Sequence, residues 1–227
     1  MFISSRTEIP EKLQELRHSL YNHDATESKQ VRFDSLLQSL VGYYPSERCH
    51  GKTCVIGGQC GNLDAKVMFI AEAPGRNGAE RTGIPLYGDP TGDNFERILD
   101  ASGLNRKDVF ITNTFLWNPT APSGNNDKPT DAEIQASLPF LKEQIDIVNP
   151  GLIVALGLTA YKTLGLLSSV QPASMKALSG KLLSWNGRYL GVLPHPSPRV
   201  VGVYKTLEEI TKDLKSILKE YHNVQRT

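Results

Sequence analysis

The stretch Val67-Met68-Phe69-Ile70-Ala71, followed directly by Glu72, decides the fold. Five consecutive apolar residues predict a short strand that is buried on both faces, as in a parallel sheet covered by helices. Three further apolar runs, at residues 109–111, 152–156 and 189–193, predict three more strands of the same kind. The chain therefore supplies four candidate strands for one buried sheet.

Apolar residues with helical spacing lie before, between and after these strands. Such patterns occur in residues 9–20, 33–40, 95–99, 134–148, 159–166 and 207–221, and Pro139 predicts a kink in the fourth of them. Strands that alternate with helices predict an α/β fold, here a three-layer α/β/α sandwich around a four-stranded, mostly parallel sheet. We expect one domain, residues 1–227, with residues 1–45 forming an N-terminal helical extension packed on it.

Composition excludes several classes of protein. The 227 residues include 25 Lys+Arg and 24 Asp+Glu, and the resulting net charge of +1 excludes an overall polycation. The longest apolar run, residues 151–158, is far shorter than the roughly 20 residues that span a membrane. The amino terminus lacks the apolar core of a signal peptide, and three cysteines are too few for a disulfide framework. We therefore expect a monomeric cytoplasmic protein that is not associated with a membrane.

The near-neutral total conceals an uneven charge distribution. Residues 174–227 contain nine basic and four acidic residues, a net charge of +5, and this segment includes His195. A local basic face of this kind is what binding to phosphates requires. For Lys212, Lys215 and Lys219, the solvated face of a helix is the favoured interpretation. The distribution is compatible with nucleic acid as a partner.

The loops that follow the strands are where a ligand is expected, because open α/β sheets bind ligands beyond the carboxyl ends of their strands. Glu72, after the first strand, either pairs structurally or does chemistry, and its position favours neither. Asn113 follows the second strand. Its amide could form hydrogen bonds with the edge of a base, and it could equally well hold a loop in place. His195 lies between Pro194 and Pro196, and its rigid presentation at a strand end favours a functional role.

Two other motifs do not carry a function. Gly51-Lys52-Thr53 is similar to the end of a P-loop, but Ser46 stands at the required earlier glycine position and no strand precedes it. No Gly-x-Gly-x-x-Gly follows a strand, so a dinucleotide-binding fold has no support.

Several ordered motifs resemble the uracil-DNA glycosylase superfamily, especially families 4 and 5, from about residue 62 to the closing helix. Glu72-Ala73-Pro74-Gly75 is similar to motif 1 of family 4, whereas residues 78–92 are closer to family 5. His195-Pro196-Ser197 is similar to motif 2. The other matching segments are Ile111-Thr112-Asn113 and residues 128–133, 139–141 and 153–157.

This resemblance implies a DNA glycosylase that flips a non-canonical pyrimidine, uracil or a modified base, into a pocket and hydrolyses its N-glycosidic bond. The resemblance implies catalytic roles for Glu72, Asp89 and His195, base-binding roles for Ala73, Leu86, Tyr87 and Asn113, and DNA-binding roles for Asn77, Ser197 and Arg199. His195 would donate to the carbonyl oxygen beside the scissile bond. Glu72 would position the attacking water, with Asp89 as a second candidate and Glu80 as a weaker one.

Two departures from the family pattern concern the pocket. The families commonly place a Phe where Leu86 stands, so either Tyr87 substitutes for it or the pocket is roomier. The best-studied branch has a carboxylate that aims water at the sugar at the position of Ala73. Alanine there is normal for families 4 and 5, so other residues must do that work.

A third departure concerns a cofactor. Families 4 and 5 usually ligate an iron–sulfur cluster through four cysteines, of which the third and fourth would fall at Trp117 and Ser137. We therefore expect no cofactor and no metal. A zinc site built from Cys49, Cys54 and Cys60 with His50 is the disfavoured alternative to three reduced thiols.

Three alternative functions remain at this point. The chain could be a glycosylase specific for hypermodified cytosine in phage DNA that acts in antiviral defence. It could be a non-catalytic DNA-binding module on the same fold. It could also form a covalent adduct with the abasic sugar.

Overall fold

A computed structural model describes residues 27–226 of the chain, which form five strands and seven helices in that range. The strands are β1 Val67–Ala71, β2 Phe110–Asn113, β3 Leu152–Leu156, β4 Leu182–Trp185 and β5 Arg188–Leu193. The helices are α1 Lys29–Ser39, α2 Ala79–Thr82, α3 Pro90–Ala101, α4 Asp131–Val148, α5 Leu158–Leu167, α6 Met175–Leu178 and α7 Leu207–Val224. Short 3-10 turns lie at Glu47–Cys49, Gly58–Cys60 and Arg106–Asp108.

The strands form one sheet in the order β2-β1-β3-β5-β4. All neighbours pair in parallel except β4, which is antiparallel to β5. The four predicted strands are therefore confirmed, and β4 extends the sheet to five within the described residues. Asn186 and Gly187 connect β4 to β5 with φ of 46° and 72°. Positive φ at both positions is the geometry of a two-residue hairpin turn, for which Asn-Gly is the preferred sequence.

Alternate residues of each strand face two separate hydrophobic layers. Met68 and Ile70 of β1 belong to the layer that includes residues of α1, α4 and α5. Val67 and Phe69 belong to the opposite layer, which includes residues of α3 and α7. Because side chains alternate across a strand, burial on both faces explains why β1 is continuously apolar. The predicted three-layer α/β/α sandwich is confirmed.

The longest helices begin as their sequences predict. Thr130 and Glu133 form a reciprocal capping box at the start of α4, which continues past Pro139 as one assigned helix. The predicted helix at residues 33–40 corresponds to α1, whereas the predicted helix at residues 9–20 lies outside the described residues. Between residues 27 and 226, no helix is both long enough and apolar enough to cross a membrane.

Candidate active site

A cavity of about 590 Å³ opens where the loops after β1, β2 and β5 meet. This is the carboxyl edge of the parallel strands, where ligands bind in open α/β sheets. Eight of the ten predicted site residues line it, as counted within the described range: Glu72, Ala73, Leu86, Tyr87, Asp89, His195, Ser197 and Arg199. Its volume lies within the range that small-molecule pockets occupy.

His195 is held in a defined orientation beside this cavity. It is partly buried, and its Nδ1 accepts a hydrogen bond of 3.3 Å from the backbone N–H of Ser197. Because Nδ1 is the acceptor, the proton of the neutral imidazole resides on Nε2. Burial lowers the pKa of His195 to about 4, although the negative charge of Asp89 acts in the opposite direction. At neutral pH His195 is therefore an uncharged donor through its Nε2–H.

Asp89 is fixed at the start of α3, where it is the N-cap residue. Its Oδ1 accepts a hydrogen bond of 2.9 Å from the backbone N–H of Gly92. Its other oxygen, Oδ2, lies against Gly75 and Gly78, where a Cβ would stand only 3.0 and 2.4 Å away. These two glycines therefore leave the space that the carboxylate occupies, and Asp89 is close enough to His195 to influence its pKa.

Glu72 follows β1 and contributes a second carboxylate to the cavity. Its backbone carbonyl accepts hydrogen bonds from Thr114 Oγ1 at 2.7 Å and from the N–H of Phe115 at 3.1 Å, which fixes the start of the loop. Its side-chain Oε1 is buried and has no hydrogen-bond partner among residues 27–226. A buried carboxylate oxygen beside a cavity is costly unless something pairs with it, so this atom is available to a ligand or a water molecule.

Two predicted site residues lie outside the lining. Asn113 ends β2 opposite Ala71 and is 1% exposed, and its Nδ2 is buried without a partner in the described part of the chain. Asn77 is exposed, and its carbonyl accepts a hydrogen bond of 3.0 Å from Arg81 Nε. The weaker candidate Glu80 also does not line the cavity.

The loop after β2 contributes residues that the sequence analysis did not select, namely Asn126, Asp127 and Lys128. Asn126 Oδ1 accepts hydrogen bonds from the N–H of Arg76 at 3.0 Å and from Asn118 Nδ2 at 2.8 Å. It thereby connects this loop to the one that follows β1. The position of the loop after a parallel strand was the available signal, because such loops meet at one edge.

The residues around the cysteines do not fit the iron–sulfur cluster that the resemblance implies. Trp117 and Ser137, at the positions of its third and fourth ligands, are 0% and 1% exposed. The Trp117 ring packs at centroid distances of 6.1 Å from Tyr43 and 5.7 Å from Phe115. Trp117 is thus part of an aromatic core.

All three cysteines of the sequence lie in the described range and are free thiols. Burial raises the pKa of Cys54 and of Cys60 to about 12, which opposes the thiolate form that metals bind. His50, considered as a zinc ligand, stacks on Tyr44 at 4.7 Å. Within residues 27–226 no group of three or more His, Cys, Asp or Glu could hold a metal ion.

Comparison with known proteins places this arrangement in a family. The model of the family described as "UDG: Uracil DNA glycosylase superfamily" matches residues 59–216. The chain belongs to the uracil DNA glycosylase superfamily. The matched range contains every predicted site residue, and membership confirms the predicted class of enzyme, a DNA N-glycosylase.

Individual relatives carry names from two branches of this superfamily. The chain is 34% identical over 165 residues to the type-4 uracil-DNA glycosylase of Saccharolobus solfataricus. This alignment covers 70% of this chain and 74% of the relative. The chain is 37% identical over 148 residues to the type-4 enzyme of Thermotoga maritima, covering 64% and 71%. It is 26% identical over 164 residues to the type-5 enzyme of Pyrobaculum aerophilum, covering 68% and 72%.

Proposed function

We propose that this protein removes uracil from DNA by hydrolysing its N-glycosidic bond. The observation that carries this proposal is the neutral His195, whose Nδ1 is occupied by the Ser197 N–H, beside the two carboxylates of Glu72 and Asp89. The names of the type-4 and type-5 relatives support uracil as the base.

His195 supplies the donor for the departing base. The target nucleotide must first leave the duplex, because its glycosidic bond is out of reach inside the stack. As the bond breaks, its electron pair passes to the base, and negative charge develops on the carbonyl oxygen beside the broken bond. The Nε2–H of a neutral imidazole then stabilises that oxygen without first giving up a proton, which is the electrostatic preorganisation that lowers such barriers.

Glu72 and Asp89 act on the sugar side of the reaction. The sugar gains positive charge as the bond breaks, and two nearby carboxylates stabilise it. A water oxygen then bonds to the sugar carbon, and a carboxylate accepts the proton that the water releases. Glu72 is the preferred acceptor, since its Oε1 is unpaired within the described residues, whereas Asp89 Oδ1 already accepts from Gly92.

The remaining predicted residues have supporting roles. Ala73, Leu86 and Tyr87 form the wall against the base. Asn113, whose buried Nδ2 has no partner within the described residues, is the candidate for reading the edge of the base from behind this lining. Ser197 and Arg199 line the opening and contact the DNA strand, and exposed Asn77 contacts DNA outside the cavity. The net charge of +5 over residues 174–227, a segment from which Arg199 lines the cavity, supports binding to phosphates.

The test compares His195→Ala with His222→Ala, a matched change at an exposed histidine of α7. Full-length proteins are incubated with duplexes that carry uracil, hydroxymethylcytosine or glucosylated hydroxymethylcytosine, and abasic sites are cleaved with alkali. We expect the wild type and His222→Ala to cut the uracil duplex, and His195→Ala to be slower by about 10² to 10⁴ with DNA binding retained.

Each of the other outcomes identifies an alternative. Cutting of only the modified-cytosine duplexes would favour the antiviral function, for which the replacement of the family's Phe by Leu86 is the supporting observation. Binding without any product from the wild type would favour a non-catalytic module. A DNA adduct that survives denaturing electrophoresis would indicate a covalent mechanism. Equal rates for His195→Ala and the wild type would contradict the role of His195.

A further inference from the structure

We infer that Arg106 is a positioning residue that fixes the Leu86–Tyr87 wall of the cavity and thereby limits which pyrimidines can enter. This inference rests on the proposed excision of uracil. Arg106 begins the 3-10 turn Arg106–Asp108, directly before β2, and does not itself line the cavity. It therefore acts through the residues that it holds.

The Arg106 guanidinium donates two hydrogen bonds to backbone carbonyls at the start of the wall. Nη1 donates to the carbonyl oxygen of Pro85 at 3.0 Å, and Nη2 donates to that of Leu86 at 2.8 Å. Nε pairs with Glu96 Oε1 of α3 at 2.5 Å. A planar guanidinium can satisfy these three acceptors from one fixed position, which lysine cannot do. Arg106 thus joins the carbonyls of Pro85 and Leu86, where the chain enters the wall, to α3.

The segment that Arg106 holds needs such support, because its backbone is strained. Leu86 has φ of +49°, in the left-handed region that a leucine rarely adopts. Conformations of this kind persist when their surroundings determine them. Gly92 of α3 also lies close to this segment, because a Cβ there would stand 2.8 Å from the Leu86 carbonyl oxygen. Both the Arg106 guanidinium and the backbone of α3 therefore contact Leu86.

The same guanidinium also contacts the aromatic side chain of the wall. Its central carbon lies 5.8 Å from the ring centroids of both Tyr87 and Phe95. Phe95 is buried and packs edge-on against Phe69 of β1, with 5.2 Å between the ring centroids. Its contact with the Arg106 guanidinium therefore fixes the position of that group. Tyr87 is 46% exposed, and burial alone therefore does not fix its ring. The cation–π contact ties this exposed ring to the core.

These contacts give Arg106 a role in specificity. Leu86 and Tyr87 line the cavity, so their positions determine its width on that side. We expect a wall held rigidly to admit uracil and to disfavour a pyrimidine that carries an additional group. When the contacts of Arg106 are removed, we expect kcat/KM for uracil to change little. We expect kcat/KM for the larger bases to rise relative to it.

The test compares Arg106→Gln with Glu96→Gln, which removes the ion-pair partner and leaves the hydrogen bonds to the two carbonyls. Excision kinetics are measured on matched duplexes that carry uracil, 5-hydroxymethyluracil or thymine. For Arg106→Gln we expect the ratio of kcat/KM for uracil over the larger bases to fall about tenfold, since one extra carbon group in a pocket discriminates by about 10- to 200-fold. Arg106→Lys should recover part of the ratio, and Glu96→Gln should retain it.

A second measurement does not depend on activity. The protein is labelled with 3-fluorotyrosine, and the Tyr87 signal is assigned by its loss in Tyr87→Phe. Arg106→Gln should shift and narrow this signal, whereas Glu96→Gln should leave it unchanged. An unchanged ratio together with an unchanged Tyr87 signal in a folded Arg106→Gln protein would overturn the inference. A wild type that does not cut uracil, but whose Tyr87 signal responds to Arg106→Gln, would refute the proposed function and retain the positioning role.

Discussion

The cavity edge and the cysteine region both contain buried polar atoms without hydrogen-bond partners among the described residues, but the surroundings of these atoms differ. At the cavity edge, Glu72 Oε1 has no partner among the described residues, and Glu72 lines an open cavity. The cysteine region comprises residues 43–60 with Trp117, Glu133 and Ser137. There, Trp117 Nε1 and Ser137 Oγ also lack partners within residues 27–226, but both side chains are at most 1% exposed. Glu72 Oε1 can therefore contact a ligand in the cavity, whereas Trp117 Nε1 and Ser137 Oγ are enclosed by protein.

The charged groups of the two regions differ as well. In the cysteine region, Arg48 donates to both carboxylate oxygens of Glu133, at 3.1 and 2.5 Å, and Ser46 Oγ donates to Glu133 Oε1 at 2.6 Å. At the cavity edge, Glu72 Oε1 has no hydrogen-bond donor within residues 27–226. Saturated ion pairs stabilise a structure, whereas incompletely paired groups in a cleft are typical of functional sites. The difference separates a region that maintains the fold from the region that we propose performs the chemistry.

The largest stability effect should come from Glu133→Gln in the cysteine region. Burial alone would raise the pKa of Glu133, but hydrogen bonds from Arg48, Ser46 and Thr130 and the charge of Arg48 lower it to about 2. This stabilisation is present above the ordinary pKa of 4.5 and is lost as the pH falls towards 2. We expect Glu133→Gln to lower the free energy of unfolding in urea at neutral pH by about 1.5 to 3 kcal/mol, since hydrogen bonds to a charged group contribute about that much.

Glu220→Gln, at an exposed position of α7, is the control for this prediction and should change the stability little. Uracil excision per folded molecule should be the same in both variants. A loss of excision by Glu133→Gln in proportion to its loss of stability would show that the two regions are not separable. A destabilisation no larger than that of the control would refute the structural role of the ion pair.

The smallest expected effect is that of a chelator. Because Trp117 and Ser137 occupy the positions of two cluster ligands, we expect the protein to carry no iron even when it is produced with added iron and sulfide. Its Tm should be the same with and without EDTA. Stoichiometric iron with a visible absorption band, lost on chelation together with stability, would contradict this reading of the cysteine region.

The sequence predicts most of the fold because burial dictates its pattern. The apolar runs of β1, β2, β3 and β5 are recognisable since both of their faces are covered. β4 was missed because an edge strand of four residues, none but Trp185 fully buried, has no such pattern. The Asn186-Gly187 turn after it was the signal that could have revealed this strand.

The candidate site was predictable where a residue follows a strand directly, and less so elsewhere. Glu72 and His195 could be selected by that position, and both line the cavity. Asn126 could not, because its place depends on hydrogen bonds with Asn118 and Arg76 that connect two loops. The role of Arg106 depends on contacts across about 20 positions of sequence, which no local pattern contains.

The protonation state of His195 decides whether this residue can act as a neutral donor to the departing base. The imidazole nitrogens of full-length, ¹⁵N-histidine-labelled protein are followed by NMR from about pH 3 to about pH 8, with His195 assigned by comparison with His195→Ala. We expect a proton on Nε2 and none on Nδ1 at neutral pH, with titration near pH 4. A proton on Nδ1 at neutral pH, or titration near the ordinary value of 6.5, would contradict the assignment of His195 as a neutral donor to the departing base.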